Sequence, residues 1–200
     1  MIRELVLVSC DISSATFSSD EKSLPGGFSL AIAEHAGKAG LFTTGPVPGA
    51  KAQIRLSEGD FCVVVSDKSG LAAQMWASER ARFIEWIGCK IVPEDQHVHL
   101  FNAWVRPDVR GRGLQWILAS EACRNVIRNG RTKVFAGVER VEYAPFARKY
   151  AAMGLGLLIP IRSVWAGRLF GVTIAINTRP PKALHAAMLG AKSILSRRRG

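Results

Sequence analysis

The stretch that most constrains this chain runs from His97 to Val138. His97 to Val105 alternates as a strand does, placing His97, His99, Phe101, Ala103 and Val105 on one face and Asn102 on the other. Arg106 to Gly113 is a short, basic, glycine-bearing loop. Leu114 to Arg128 then reads as an amphipathic helix with Leu114, Ile117, Leu118, Ala122 and Val126 on its buried side, closed by Asn129-Gly130. Thr132 to Val138 is a further strand. A strand–loop–helix–strand unit lays its two strands side by side and parallel. A ligand is expected where the first strand ends and the helix begins.

The loop has the chemistry of an anion site. A helix N-terminus offers unpaired N–H groups and the positive end of the helix dipole. Gly111 and Gly113 let the backbone approach an anion closely, and Arg110 and Arg112 add charge and bidentate donors. A pyrophosphate-bearing ligand is the natural occupant. The P-loop run G-x-x-x-x-G-K-[S/T] is absent, and Gly111 and Gly113 are followed by Leu114-Gln115-Trp116, which does not continue a Rossmann G-x-G-x-x-G.

Arg110-Gly111-Arg112-Gly113-Leu114-Gln115 resembles motif A of the GNAT superfamily of acyl-CoA N-acyltransferases, R/Q-x-x-G-x-G/A. It matches the Arg and the first Gly, and departs at the last position, Gln115 for Gly or Ala. Phe146 to Leu155 resembles the family's A-x-x-x-Y-x-x-x-G-F segment, with Tyr150 four residues before Gly154 and Leu155 for the usual Phe. The resemblance covers residues 60–176. It implies an α/β fold with a mixed, mostly antiparallel sheet, splayed between its fourth and fifth strands, with helices on both faces.

The resemblance also implies roles. The donor, acetyl-CoA or another acyl-CoA, would run along Ala103, Trp104 and Val105 and meet Arg110, Gly111, Arg112, Gly113, Leu114 and Gln115 at its phosphates. A backbone N–H on that strand edge would polarise the thioester carbonyl. Tyr150 matches the tyrosine that protonates the departing thiolate. The general base stays open between His99, on the strand entering the site, and Glu85, ahead of it. Each has a structural alternative: a core histidine and a solvated carboxylate. Arg106 is read either as a phosphate ligand or as solvated charge. His97-x-His99 lacks a third metal ligand, and no metal is expected.

Elsewhere, Arg3 to Cys10 reads as a strand, Phe28 to His35 as a short helix after Pro25-Gly26-Gly27, and Gly37 to Gly49 as a connector. Phe61 to Ser66 and Leu71 to Trp76 flank a good hairpin turn, Asp67-Lys68-Ser69-Gly70. Ser78 to Ile91 fits either a helix or an irregular excursion. Ala144 to Met153 reads as a helix, and Leu155 to Ile161 with Arg168 to Ile176 as a closing strand pair. The expected organisation is one domain over 1–178 and a basic tail over 179–200.

Charge is uneven: residues 1–100 carry 9 Lys+Arg against 12 Asp+Glu, and residues 101–200 carry 18 against 4. The second half therefore calls for an anionic partner. An acidic acyl carrier protein as donor fits that excess as CoA does. A nucleic-acid module would use Trp116 and Trp165, the latter in the 161–168 connection, but no nucleic-acid motif accompanies them. The tail's thin stripe of Leu184, Met188, Ala191 and Leu195 suits docking on its own domain or contact with an anionic membrane surface. Leu7-Val8-Ser9-Cys10 fits a lipoprotein box, but Leu5 to Val8 is too short an apolar run for a secretory leader. The cysteines at 10, 62, 89 and 123 form no C-x-x-C pair, so reduced thiols in a cytoplasmic protein are expected. The acceptor is a small-molecule amine or a protein lysine, and the protein a monomer or homodimer.

Overall fold

The computed structural model describes residues 2–13, 15, 24–84, 89–93, 96–139, 148, 159–169 and 172–178. Eight strands make one sheet: β1 (Ile2–Asp11), β2 (Ser29–Ala33), β3 (Phe61–Asp67), β4 (Gly70–Ser78), β7 (His97–Val105), β8 (Lys133–Glu139), β9 (Ile159–Leu169) and β10 (Val172–Thr178). Their spatial order is β10-β9-β1-β8-β7-β4-β3-β2. A separate two-stranded ribbon pairs β5 (Arg82–Ile84) with β6 (Cys89–Ile91). All pairings in the large sheet are antiparallel except β7 with β8, the two strands joined through α2 (Leu114–Arg128). Counted from β2, these are the fourth and fifth strands.

Each face of the sheet has its own core. Toward α2, Val63, Val65, Ala73, Met75, Val98 and Leu100 pack against Leu114, Leu118, Ala122 and Val126, and Val8, Cys10 and Ile12 extend the cluster. Toward α1 (Gly49–Ser57) and a 3-10 segment over Ala36–Phe42, Cys62, Val64, Leu71 and Trp76 pack against Phe42, Ala52 and Leu56. Burying both faces is what lets β4 read as an almost continuous apolar run.

The boundaries of α2 agree with its sequence pattern because both ends are locally encoded. At its C-terminus Gly130 takes a positive φ of 75°, while its N–H donates to Ile127 O and that of Arg131 to Val126 O. The β3–β4 turn also forms as expected, with the Ser69 N–H donating to Asp67 Oδ1 at 2.8 Å.

Three expectations need correction, and one helix lies where the sequence raised none. Ser29–Ala33 is a strand, not part of a helix: its pairing with β3 outweighs the weak helical signal of Ala31 and Ala33. Helix α1 occupies a stretch that shows only two buried residues, Ala52 and Leu56, although Pro48 before it and Gly59 (φ 89°) after it are start and stop signals. The closing strands lie later than their sequence suggests, and the first is longer, so Trp165 is in β9, paired with Glu4 and Ile176, rather than in a connection. Finally, the strict alternation of β7 breaks at Asn102, as described below. The helix expected over 144–153 and the tail over 179–200 lie outside the described residues. Among the described residues no helix is long and apolar enough to cross a membrane.

Candidate functional site

The site begins at a bulge in β7. Gln74 pairs with Trp104 and Trp76 with Phe101, so the single Met75 of β4 stands opposite both Asn102 and Ala103. Asn102 takes a φ of 48°, which asparagine tolerates better than most residues. An extra residue bends and twists its strand. The parallel ladder between β7 and β8 runs from His97↔Lys133 to Leu100↔Ala136 and stops there. Beyond it, Phe101 to Val105 have no partner on β8, and Asn102 and Ala103 are exposed.

The bulge also redistributes side chains. Phe101 and Trp104 pack toward the α1 face and Val105 toward the α2 face, so Ala103 and Val105 do not share the histidine face as alternation predicts. Asn102 turns to the histidine face instead; with its amide assigned so that the oxygen faces the donors there, it accepts from Arg55 Nη1 and Nη2, both at 3.0 Å. The Arg55 guanidinium lies 5.0 Å from the ring centre of Trp76 and 5.1 Å from that of Phe101. Sequence reasoning passed over Arg55; no local signal marks it, because only the fold carries α1 to β7.

Below the bulge, His99 is 1% exposed and sandwiched between Phe101 and Phe135, at 5.2 and 4.6 Å between ring centres. Its Nδ1 is buried without a hydrogen-bond partner among the described residues. Burial, then the positive charge of Arg82, lowers its pKa to about 4. The stack therefore forms a neutral aromatic floor where the two strands part.

At the far end of β7 the loop is shaped by its own polar contacts. Arg106 Nη2 donates to Asp67 Oδ2 at 2.5 Å and its Nε to Asp108 Oδ1 at 2.7 Å, tying the loop to the β3–β4 turn. Arg106 is thus occupied by carboxylates, which raise its pKa and lower theirs, and it is not free to hold a phosphate. Arg110 Nε donates to Val105 O at 3.2 Å, closing the loop on the strand end. Arg112 is exposed, with its guanidinium 5.8 Å from the ring centre of Phe28.

Gly111 and Gly113 both take positive φ, 77° and 81°, and Gly113 caps α2. Among the described residues, the backbone N–H groups of Gly111, Arg112, Gly113, Leu114 and Gln115 meet no acceptor. A Cβ added at Gly111 would find open space. Leu114 is 1% exposed in the α2-face core, so it can offer a ligand only its backbone. This arrangement fits a pyrophosphate: a row of free donors at a helix start, flanked by Arg110 and Arg112.

Tyr150 and Glu85 lie outside the described residues. His97 sits at the start of β7, its Nε2 3.4 Å from Ser9 Oγ. Cys10, Cys62 and Cys123 are buried and in no disulfide, and burial pushes the thiols of Cys10 and Cys62 up, away from reactivity. Among the described residues no group of His, Cys, Asp or Glu is placed to hold a metal ion.

No family model and no curated protein matches this chain. Solved structures do. A tandem GNAT protein from the clavulanic acid biosynthesis pathway shares 14% identity at a TM-score of 0.55, over 90% of this chain and 55% of that one. A GCN5-related N-acetyltransferase from Sphaerobacter thermophilus shares 12% at 0.55, over 90% and 53%. A GNAT-family protein from Novosphingobium aromaticivorans shares 13% at 0.54, over 90% and 66%. The chain spans about half the length of the first two. At this identity the likeness concerns fold, and the fold is that of the GNAT superfamily.

Proposed function

We propose that the chain is an acyl-CoA-dependent N-acyltransferase that moves an acyl group, acetyl above all, from a CoA thioester to a primary amine. The observation that carries this reading is the row of free N–H groups at the start of α2, at the end of a strand whose parallel ladder to β8 stops at Leu100↔Ala136. The GNAT fold supports it.

In this reading Gly111 to Gln115 bind the phosphates through backbone N–H groups, with Arg110 and Arg112 supplying charge. Arg106, held by Asp67 and Asp108, keeps the loop in place. The exposed edge at Ala103 to Val105 lies along the rest of the donor, and a backbone N–H there orients the carbonyl that the amine attacks. Bound acyl-CoA supplies the thioester, whose carbonyl is open to direct attack. Tyr150 is the residue assigned to return a proton to the thiolate. His99 is a poor choice of base, since burial holds it neutral against protonation at any pH well above 4. Glu85, or a water, is left for that role. An acidic carrier protein as donor is a second reading, favoured by the excess of 18 Lys+Arg over 4 Asp+Glu in residues 101–200.

The test is thermal stabilisation by acetyl-CoA beside ATP and pyrophosphate at equal ionic strength. A ligand at 100 times its dissociation constant stabilises by about 2.7 kcal/mol. Acetyl-CoA is expected to exceed both controls, and Gly113→Glu to abolish the difference. Equal effects of all three polyanions would reduce the loop to a basic surface.

A further inference from the structure

Half-buried arginines among the described residues are otherwise paired with carboxylates. Arg82 holds Glu58 and Asp60, Arg106 holds Asp67 and Asp108, Arg124 holds Glu121, and Arg131 holds Glu79. Arg55 is the exception among the described residues. The acidic side chains close to it in sequence, Glu58 and Asp60, are engaged by Arg82. Its polar contact is the neutral amide oxygen of Asn102, which accepts from two of the five guanidinium N–H donors.

The position of Arg55 is as telling as its lack of a carboxylate in contact. Trp76 and Phe101 form an apolar shelf under the guanidinium, and burial there lowers its pKa. Such a charge is weakly hydrated and gains more from an anion than an exposed one does. Through Asn102 it is held one residue from Ala103, at the bulge where β7 leaves β8. The charges of Asp60 and Glu58 reach Arg55, but both carboxylates make their contact ion pairs with Arg82. A guanidinium with donors to spare beside an exposed strand edge is suited to receive a carboxylate from outside.

We infer that Arg55 recognises a carboxylate on the acceptor, so that the amine acylated here belongs to an amino acid or a similar amine-bearing acid. The inference rests on the acyltransferase reading above. It runs against the net charge of the first half, 9 Lys+Arg against 12 Asp+Glu, which by itself favours a cationic acceptor. The planar fork of a guanidinium matches a carboxylate through two parallel hydrogen bonds, whereas lysine offers only a point charge.

The experiment measures acetyl transfer by the full chain to a panel of amino acids, each beside its amide, its decarboxylated amine and an aminoalkyl phosphate. The expected result is a kcat/KM for the best amino acid at least about tenfold above its amide, as loss of a charge-assisted bidentate pair implies. Arg55→Met is expected to close that gap through KM, with kcat little changed, and Arg55→Lys to restore part of it. Melting temperatures of both variants establish that they fold, and if Arg55→Met does not, Arg55→Lys carries the comparison. Equal turnover of acid and amide, a preference for the phosphate, or a preference that survives in the variants would each overturn the inference and leave the acyltransferase reading intact. Failure of acetyl-CoA to stabilise the protein beyond ATP and pyrophosphate would overturn both.

Discussion

The imidazole of His99 lies flat on the ring of Phe135, 4.6 Å between centres and 5° from parallel, across the third of the four rungs joining β7 to β8. The pair sits one rung before the last β7–β8 pairing, Leu100↔Ala136, so the parallel ladder ends beside an aromatic contact between its two strands. Its energetics are testable through pH.

His99 has a pKa of about 4 in the folded protein against an ordinary 6.5, lowered by burial and then by Arg82. The folded state therefore resists protonation that the unfolded chain accepts. The stability it contributes is fully present above pH 6.5 and is lost as pH falls from 6.5 toward 4, by up to about 3 kcal/mol. Urea denaturation at pH 7 and pH 4.5 is expected to show a larger loss for the wild type than for His99→Phe. Parallel losses would place the acid sensitivity in other groups.

Gly111 and Gly130 make a matched pair. Both hold positive φ, 77° and 75°, and a Cβ at either meets nothing within 4 Å. Alanine at either position carries only the backbone penalty, roughly 1 kcal/mol. Gly111 stands in the donor loop and Gly130 at the opposite end of α2. Gly111→Ala is expected to weaken acetyl-CoA binding by calorimetry, and Gly130→Ala to leave it unchanged at similar stability.

At Asn102 the backbone and the side chain are separable. Asn102→Gly suits the φ of 48° and keeps the bulge while releasing Arg55. Asn102→Val forces a β-branched residue into the left-handed region, at about 1–2 kcal/mol. Thermal unfolding is expected to rank valine well below glycine. The opposite order would mean that valine's preference for strands, not the left-handed φ, sets stability here.

Arg106 and Arg112 are both basic loop residues with different duties. Arg106 is committed to Asp67 and Asp108, while Arg112 is exposed over Phe28. If the loop holds phosphates, Arg112→Ala is expected to reduce the salt dependence of acetyl-CoA affinity, because one phosphate contact is lost. Arg106→Ala is expected to leave that slope in place and to lower affinity only through loop mobility. Titrations at two ionic strengths separate the two.

How far the sequence could be read depended on how local the determining physics was. Leu114–Arg128 was legible to the residue, since its apolar stripe and its Asn129-Gly130 end both lie within the segment. The β3–β4 turn was legible from Asp67 to Gly70 for the same reason, and so were the positive-φ glycines at the start of α2, Gly111 and Gly113. Ser29–Ala33 was not, because five residues of leucine, isoleucine, alanine and serine carry little preference until β3 offers them a partner. Arg55 and Asn102 lie 47 positions apart, and no pattern along the chain connects them.

By itself, then, the sequence determined the parallel pairing of β7 and β8, because the strand–helix–strand connection through α2 has one favoured way to pack back on a sheet. It also determined the donor row at the start of α2, since a helix N-terminus preceded by Gly111 and Gly113 leaves its N–H groups unpaired whatever surrounds it. Only the tertiary structure decided that β1 lies between β8 and β9, that β7 bulges opposite Met75, and that Arg55 arrives beside that bulge while Arg82 takes the contact ion pairs of Glu58 and Asp60. Those outcomes depend on which strand edges are open and which charges are already paired, and neither exists before the chain has folded.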